Sequence, residues 1–299
     1  MKPATTTVRS VDGVDLVAHD LGGTGPAVVF VHATGLHGLV WLAVADQLVD
    51  RYRCVSYDAR GHGDSGGRPG GDYAWPRQAD DVLAVIDGLG LEQPSGVGHS
   101  AGATVLLLAE QARQGTFRKL YCYEPVIVPV DPPLGPDPGN WLAAAARRRR
   151  DTFASRDQAY DHYRAKPPLS SLSAVVLRAY VDHGFEDLAD GGVRLKCRRE
   201  TEAAMHEMAT AHDAFARLAD VACPVLVAGG SRSDAFAPPL VAAQVAPLPD
   251  ARVEVLPGLG HLGPLEDPGA AAASIHRFLA EDTTGQIGRA SSQTSHSAR

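Results

Sequence analysis

The segment PSGVGHSAGATVLLLAEQAR (94–113) constrains this chain more than any other stretch. A short apolar run ends at Gly98-His99-Ser100-Ala101-Gly102, and an apolar helical pattern begins directly behind it. So abrupt a turn between strand and helix holds its central residue in a strained conformation, and its neighbours must be small to avoid collision. The strain points the serine oxygen at solvent, and the helix N-terminus behind it favours a developing anion. The pattern G-x-S-x-G alone is weak in a chain with 31 glycines among 299 residues. The strand before it and the helix after it give it weight.

The same residues admit a rival reading. Gly96 to Ala101 also spell G-x-G-x-x-A, a dinucleotide fingerprint, and Glu124 follows roughly 20 residues later at the end of the next strand. That fingerprint belongs at the first strand–helix turn of its unit, whereas here two strand–helix units come first. It also leaves the serine and the motifs below unexplained, so an oxidoreductase is set aside.

Around this segment, short apolar runs alternate with helical stretches. PAVVFVH (26–32), RCVSYDARG (53–61), FRKLYCYEPVIV (117–128), PVLVAGG (224–230) and ARVEVLPG (251–258) read as strands. Helical patterns cover Leu39–Val49, residues 76–90, which open on Pro and close on Gly, and 268–281. Such alternation implies an α/β fold with a mostly parallel sheet. A hairpin over about residues 5–20, turning at Asp12-Gly13, adds antiparallel strands at one edge. The alternation breaks between 129 and 220. A Pro/Gly-rich connector, PVDPPLGPDPGN (129–140), leads into about 75 mostly helical residues. We read 1–128 and 213–282 as one core, and 129–212 as a helical cap over the sheet's carboxyl edge, where α/β folds bind ligands. The polar tail 283–299 is expected to be disordered.

Composition narrows the partners. With 28 Lys+Arg against 35 Asp+Glu, the net charge is −7, and the sequence pI is about 5.9. Such a chain has no general attraction for nucleic acid or anionic membrane. No apolar run reaches the roughly 18–20 residues of a membrane span, and MKPATTTVRSVDGVD has no apolar signal-peptide core. Cys54, Cys122, Cys197 and Cys223 lie far apart, with no C-x-x-C pair. Buried, reduced thiols in a cytoplasmic protein acting on a small molecule are expected.

A serine nucleophile needs a base, and imidazole takes and returns a proton near neutral pH. Of twelve histidines, His261 stands out, on the Gly-rich loop PGLGHLGPLEDP between the last strand and the final helix. His99 is adjacent to Ser100, so the turn points it elsewhere. His206 and His212 are spaced i, i+6, on different helix faces, and do not make a zinc site. Two carboxylates satisfy the order Ser…acid…His. Asp234 follows the strand PVLVAGG, in GGSRSDAFAP, and Glu124 ends the strand KLYCYEP. Both remain open as the group that orients the imidazole. The loop His32-Ala33-Thr34-Gly35 is small enough for backbone N–H groups to face a reacting carbonyl. Ala101 N–H, with Thr34 or Ala33, would form an oxyanion hole.

The segments FVHATG, YDARGHGDSGG, GVGHSAG, and PGLGHLGPLEDP followed by IHRFL together resemble the α/β-hydrolase superfamily, over residues 28–280 without the cap. The resemblance implies a mixed, mostly parallel eight-stranded sheet with a helical cap. It implies Ser100 as nucleophile, His261 as base, and Ala101 with Thr34 as oxyanion donors. There are departures. GGSRSD has one more residue than usual before Asp234, although the spacing to Pro238 is normal. In lactone hydrolases of the zearalenone-lactonase type the acid is a Glu, and Glu124 would hold that position. HATG stands where HGxxG is commoner. Serine rather than aspartate at the elbow argues against dehalogenase or epoxide hydrolase chemistry. The expectation is a serine hydrolase for esters or lactones that needs no cofactor or metal. A C–C bond hydrolase or lyase on the same fold, and a non-catalytic binding module, are the alternatives.

Asp58, Arg60 and His62 are read as braces of the loop DARGHGDS. Arg147–Arg150 form either a solvated helix face or a guide for an acidic substrate. Trp41, Trp75, Trp141, Phe153 and Tyr180 are candidates for pocket lining or for packing.

Overall fold

A computed structural model describes residues 3–67 and 70–281. The tail read as disordered, 283–299, lies outside the described residues. Strands β1 (Ala4–Arg9) and β2 (Asp15–Gly22) form the expected hairpin. They join β3 (Ala27–Val31), β4 (Arg53–Tyr57), β5 (Ser95–His99) and β6 (Leu120–Tyr123). Between β6 and the rest of the sheet lie three short strands, β7 (Thr152–Phe153), β8 (Phe185–Asp187) and β9 (Val193–Leu195). Strands β10 (Val225–Gly230) and β11 (Ala251–Leu256) complete the main sheet. Its order is β1-β2-β4-β3-β5-β6-β10-β11. Only the β1–β2 and β2–β4 pairs are antiparallel.

The central strands are continuous apolar runs because both faces of the sheet are covered. Alternate residues divide between two cores. Phe30, Tyr121, Tyr123 and Ala228 join one buried cluster, and Val29, Val31, Cys122 and Val227 join the other. Helices α2 (Trp75–Gly88) and α3 (Ala101–Ala112) cover the second face. The first is covered by α1 (Leu42–Ala45), and by the last helix after the inserted segment and β10–β11 have been laid down.

The inserted segment contains α4 (Trp141–Arg148), α5 (Arg156–Arg164), α6 (Ala174–Gly184) and α7 (Arg199–Glu207). Its three strands pair as β7-β9-β8. These were missed in a stretch read as mostly helical, because strands of two or three residues show no periodicity. Phe153, Tyr163, Tyr180 and Phe185 belong to the same buried cluster as Phe30 and Trp41, so the segment is packed onto the core. Beyond it run α8 (Pro238–Val245), α9 (Gly263–Glu266) and α10 (Pro268–Ala280).

Two further expectations shift. The helix read over Leu39–Val49 is a 3-10 turn, Gly38–Trp41, leading into the short α1. The strand read over 117–128 is confined to Leu120–Tyr123, because Glu124 turns the chain out of the sheet at φ +46°. All four cysteines are free and buried. No helix among the described residues is long and apolar enough to cross a membrane.

The hairpin turn, the loop after β4 and α2 are tied through one buried side chain. Arg60 donates from Nε and Nη2 to both oxygens of Asp81, each at 2.7 Å. Its Nη1 donates to Asp12 at 2.8 Å and to the Asp72 carbonyl at 3.0 Å. Ser10 also donates to Asp81. Removing one partner of such a pair strands a buried charge. Arg60→Met is therefore expected to lower unfolding free energy by about 3–5 kcal/mol, read by urea denaturation. An exposed control, Arg113→Met, should change it by about 1 kcal/mol or less.

Candidate active site

Ser100 sits at φ +54° between β5 and α3. The neighbouring glycines are demanded by contact. A Cβ on Gly98 would lie 2.5 Å from the Ala103 Cα, and one on Gly102 would lie 2.3 Å from the Val31 carbonyl oxygen. The second approach also seats the start of α3 against the loop that leaves β3. Ser100 N–H donates to the Tyr123 carbonyl at 2.8 Å, tying the elbow to the end of β6. There Glu124 takes the second left-handed conformation, and its N–H donates to the Ala228 carbonyl at 2.8 Å. Two non-glycine residues thus hold unfavourable backbone conformations at the carboxyl ends of neighbouring strands. Strain of this kind concentrates at functional sites.

Their side chains meet at one imidazole. His261 Nδ1 lies 2.6 Å from Glu124 Oε2, and Nε2 lies 3.2 Å from Ser100 Oγ. A carboxylate can only accept, so Nδ1 carries the proton and Nε2 faces the hydroxyl as acceptor. Glu124 is 3% exposed. Its Oε1 accepts from Gly230 N–H at 2.9 Å, and Oε2 also accepts from the Ser233 hydroxyl at 2.7 Å. These donors, with the imidazole, offset the cost of burying a carboxylate. Asp234 is exposed and opens the 3-10 turn Asp234–Phe236. Of the two carboxylates left open by the sequence, Glu124 is the one brought to His261, and Asp234 is not. The loop after β10 delivers Ser233 to Glu124 instead.

The His261 loop is held from below by groups that sequence reasoning missed. The buried His99 ring donates from Nε2 to the His261 carbonyl at 2.8 Å. Burial pushes this imidazole well below its usual pKa, so it stays neutral. Tyr123 donates its hydroxyl to the Gly260 carbonyl at 2.8 Å, and Glu266 accepts from Gly260 N–H at 3.0 Å. The available signal for His99 was its place in a strand beside the serine, where alternation turns it to the opposite face.

Thr34 and Ala101, the expected oxyanion donors, have N–H groups with no acceptor among the described residues. Gly35 N–H is taken by His62 Nε2 at 2.9 Å. Above this loop lies α7. Glu202 Oε1 would stand 2.7 Å from a Cβ on Gly35. Glu202 pairs with Arg149, which also donates to the Tyr180 hydroxyl at 2.7 Å. Tyr180 stacks on His37 with ring centroids 5.8 Å apart.

Three members of the arginine run have partners. Arg147 pairs with Glu200 and Glu207, Arg149 is part-buried in the network above, and Arg150 lies 4.3 Å over the Phe153 ring. Trp41, Trp75, Phe153 and Tyr180 are buried, while Trp141 is 74% exposed.

The model of the alpha/beta hydrolase family matches residues 28–275. The chain belongs to this family.

A 2-(acetamidomethylene)succinate hydrolase of Mesorhizobium japonicum is 26% identical over 259 residues, which is 86% of this chain and 89% of that protein. An uncharacterized protein of Mycobacterium tuberculosis is 31% identical over 105 residues. That match covers 35% of this chain and only 30% of the mycobacterial protein. In fold, a crystal structure of E-2-(acetamidomethylene)succinate hydrolase is similar with a TM-score of 0.80 at 23% identity, covering 93% of this chain and all of that one.

Tyr123→Phe keeps the ring and removes one donor from the His261 loop. The Gly260 carbonyl keeps the Gly263 N–H at 3.0 Å, so losing the hydroxyl is expected to cost about 0.5–1.5 kcal/mol in thermal or urea unfolding.

Proposed function

We propose that this family member is a serine hydrolase that cleaves a carboxylic ester or lactone of a mostly apolar small molecule through an acyl-enzyme. The observation that carries the reading is the hydrogen-bonded line Glu124–His261–Ser100, beside two N–H groups without acceptors among the described residues. In this mechanism His261 Nε2 takes the proton of Ser100 as its oxygen attacks the carbonyl. Glu124 holds the ring in the required tautomer and stabilises the imidazolium that forms. Thr34 and Ala101 N–H meet the oxyanion, where charge grows in the transition state. His261 then protonates the leaving alcohol, and water activated by the same ring releases the acid.

Residues 129–212 serve as the cap that selects the substrate, through the face that Glu202 and Tyr180 turn toward the loop after β3. The reading has support from a relative over most of this chain that is itself named a hydrolase.

A fluorophosphonate should label the wild-type protein, and labelling should be lost in Ser100→Ala and His261→Ala. Glu124→Gln is expected to lower turnover of short p-nitrophenyl esters by about 10⁴-fold, while Asp234→Asn stays within about twofold. Absence of both labelling and turnover in the wild type would sink the hydrolase reading. Labelling without ester or lactone turnover would favour C–C bond cleavage by the same residues.

A further inference from the structure

Two loops flank the elbow on its oxyanion side, the one after β3 (residues 32–38) and the one after β4 (residues 58–65), and their histidines cross. His32, from the first loop, accepts at Nε2 from Ala59 N–H of the second at 2.9 Å. His62, from the second, accepts at Nε2 from Gly35 N–H of the first at 2.9 Å. Each ring donates its Nδ1 proton to a carbonyl of its own loop, His32 to Ala33 at 2.8 Å and His62 to Arg60 at 3.2 Å. The rings stand 5.1 Å apart, and both are buried. Asp58 adds a third tie, accepting from Gly38 N–H at 2.7 Å.

We infer that His32 and His62 form a reciprocal clamp that positions the oxyanion donor, with His62 acting as a positioning residue for Thr34 through Gly35.

The geometry supports this in three ways. Gly35 N–H adjoins Thr34 in the chain and would otherwise be free to turn toward the reacting oxygen. With that donor committed to His62, the peptide plane between Thr34 and Gly35 is fixed from its C-terminal side. The Ala33 carbonyl is fixed by His32, so the two peptide groups around Thr34 are both held. Finally, the clamp works only with neutral rings, since a protonated Nε2 cannot accept. Burial holds both rings neutral, with His62 lowered to about 3 and His32 lowered in the same direction. The groups around His62 are His32, His37 and Asp58. The Asp58 carboxylate is already engaged by Gly38, Asp64 and His19.

The inference rests on the proposed hydrolase reading for its catalytic consequence, but the clamp can be tested apart from activity. Imidazole ¹⁵N spectra of the wild-type protein at pH 7 should show His32 and His62 as neutral rings protonated at Nδ1. A charged ring, or protonation at Nε2 in either, overturns the clamp whether or not the protein is a hydrolase. For function, His62→Gln keeps an acceptor and His62→Phe removes it. His62→Phe should lower kcat on a p-nitrophenyl ester by about 10–100-fold with KM within about threefold, as displacement of an oxyanion donor would. His62→Gln should recover most of the loss. Hydrogen exchange in the peptide covering Gly35 should quicken in His62→Phe and much less in His62→Gln. Equal kcat in all three proteins, or equal losses in both variants with unchanged exchange, overturns the positioning role. If His62→Phe does not fold, the ¹⁵N tautomers and the exchange of His62→Gln still decide.

Discussion

The hydrogen bond between the buried Glu124 carboxylate and His261 is the interaction on which the remainder of the site depends. A carboxylate at 3% exposure is tolerable only with its donors in place. Those donors come from three parts of the chain: Gly230 at the end of β10, Ser233 in the loop beyond it, and His261 after β11. All three reach Glu124 only if β6, β10 and β11 lie side by side and end at the same level. The parallel register supplies this, pairing Tyr123 with Ala228 and Gly230 with Leu256. On the other side, His99 pairs with Tyr123, which sets Ser100 beside Glu124 at the carboxyl edge. The neighbouring strand ends therefore bring Ser100, Glu124 and His261 together at one edge of the sheet.

The surrounding residues act as supports for this line. His99 and Tyr123 hold the His261 loop by its carbonyls. Beside the elbow, the loops after β3 and β4 hold one another through backbone N–H groups donated to imidazole nitrogens. From above, Glu202 lies against Gly35 and Tyr180 against His37, so the inserted segment touches the same loop.

Much of the fold was legible, for physical reasons that differ by element. Strands β3, β6 and β10 are dense apolar runs, and the elbow needs two glycines where Ala103 and Val31 approach. The meeting of Ser100 and His261 was legible because motif and chain order agree. The carboxylate that joins them was not. Whether Glu124 or Asp234 reaches the imidazole depends on how the 231–234 loop folds beside β6, and no local pattern encodes this. The left-handed turn at Glu124 was hidden too, since neither glycine nor asparagine marks it. The short strands β7, β8 and β9 lacked periodicity, and Arg149 looked exposed because its partner Glu202 lies 53 residues away.

Glu124, and not Asp234, accepts from the His261 Nδ1–H. The most direct measurement is the proton spectrum of that N–H in the wild-type, Glu124→Gln and Asp234→Asn proteins. A short charge-assisted bond of 2.6 Å should give a far-downfield resonance. It should disappear in Glu124→Gln and stay unchanged in Asp234→Asn. Survival of the resonance in Glu124→Gln with loss in Asp234→Asn would contradict it.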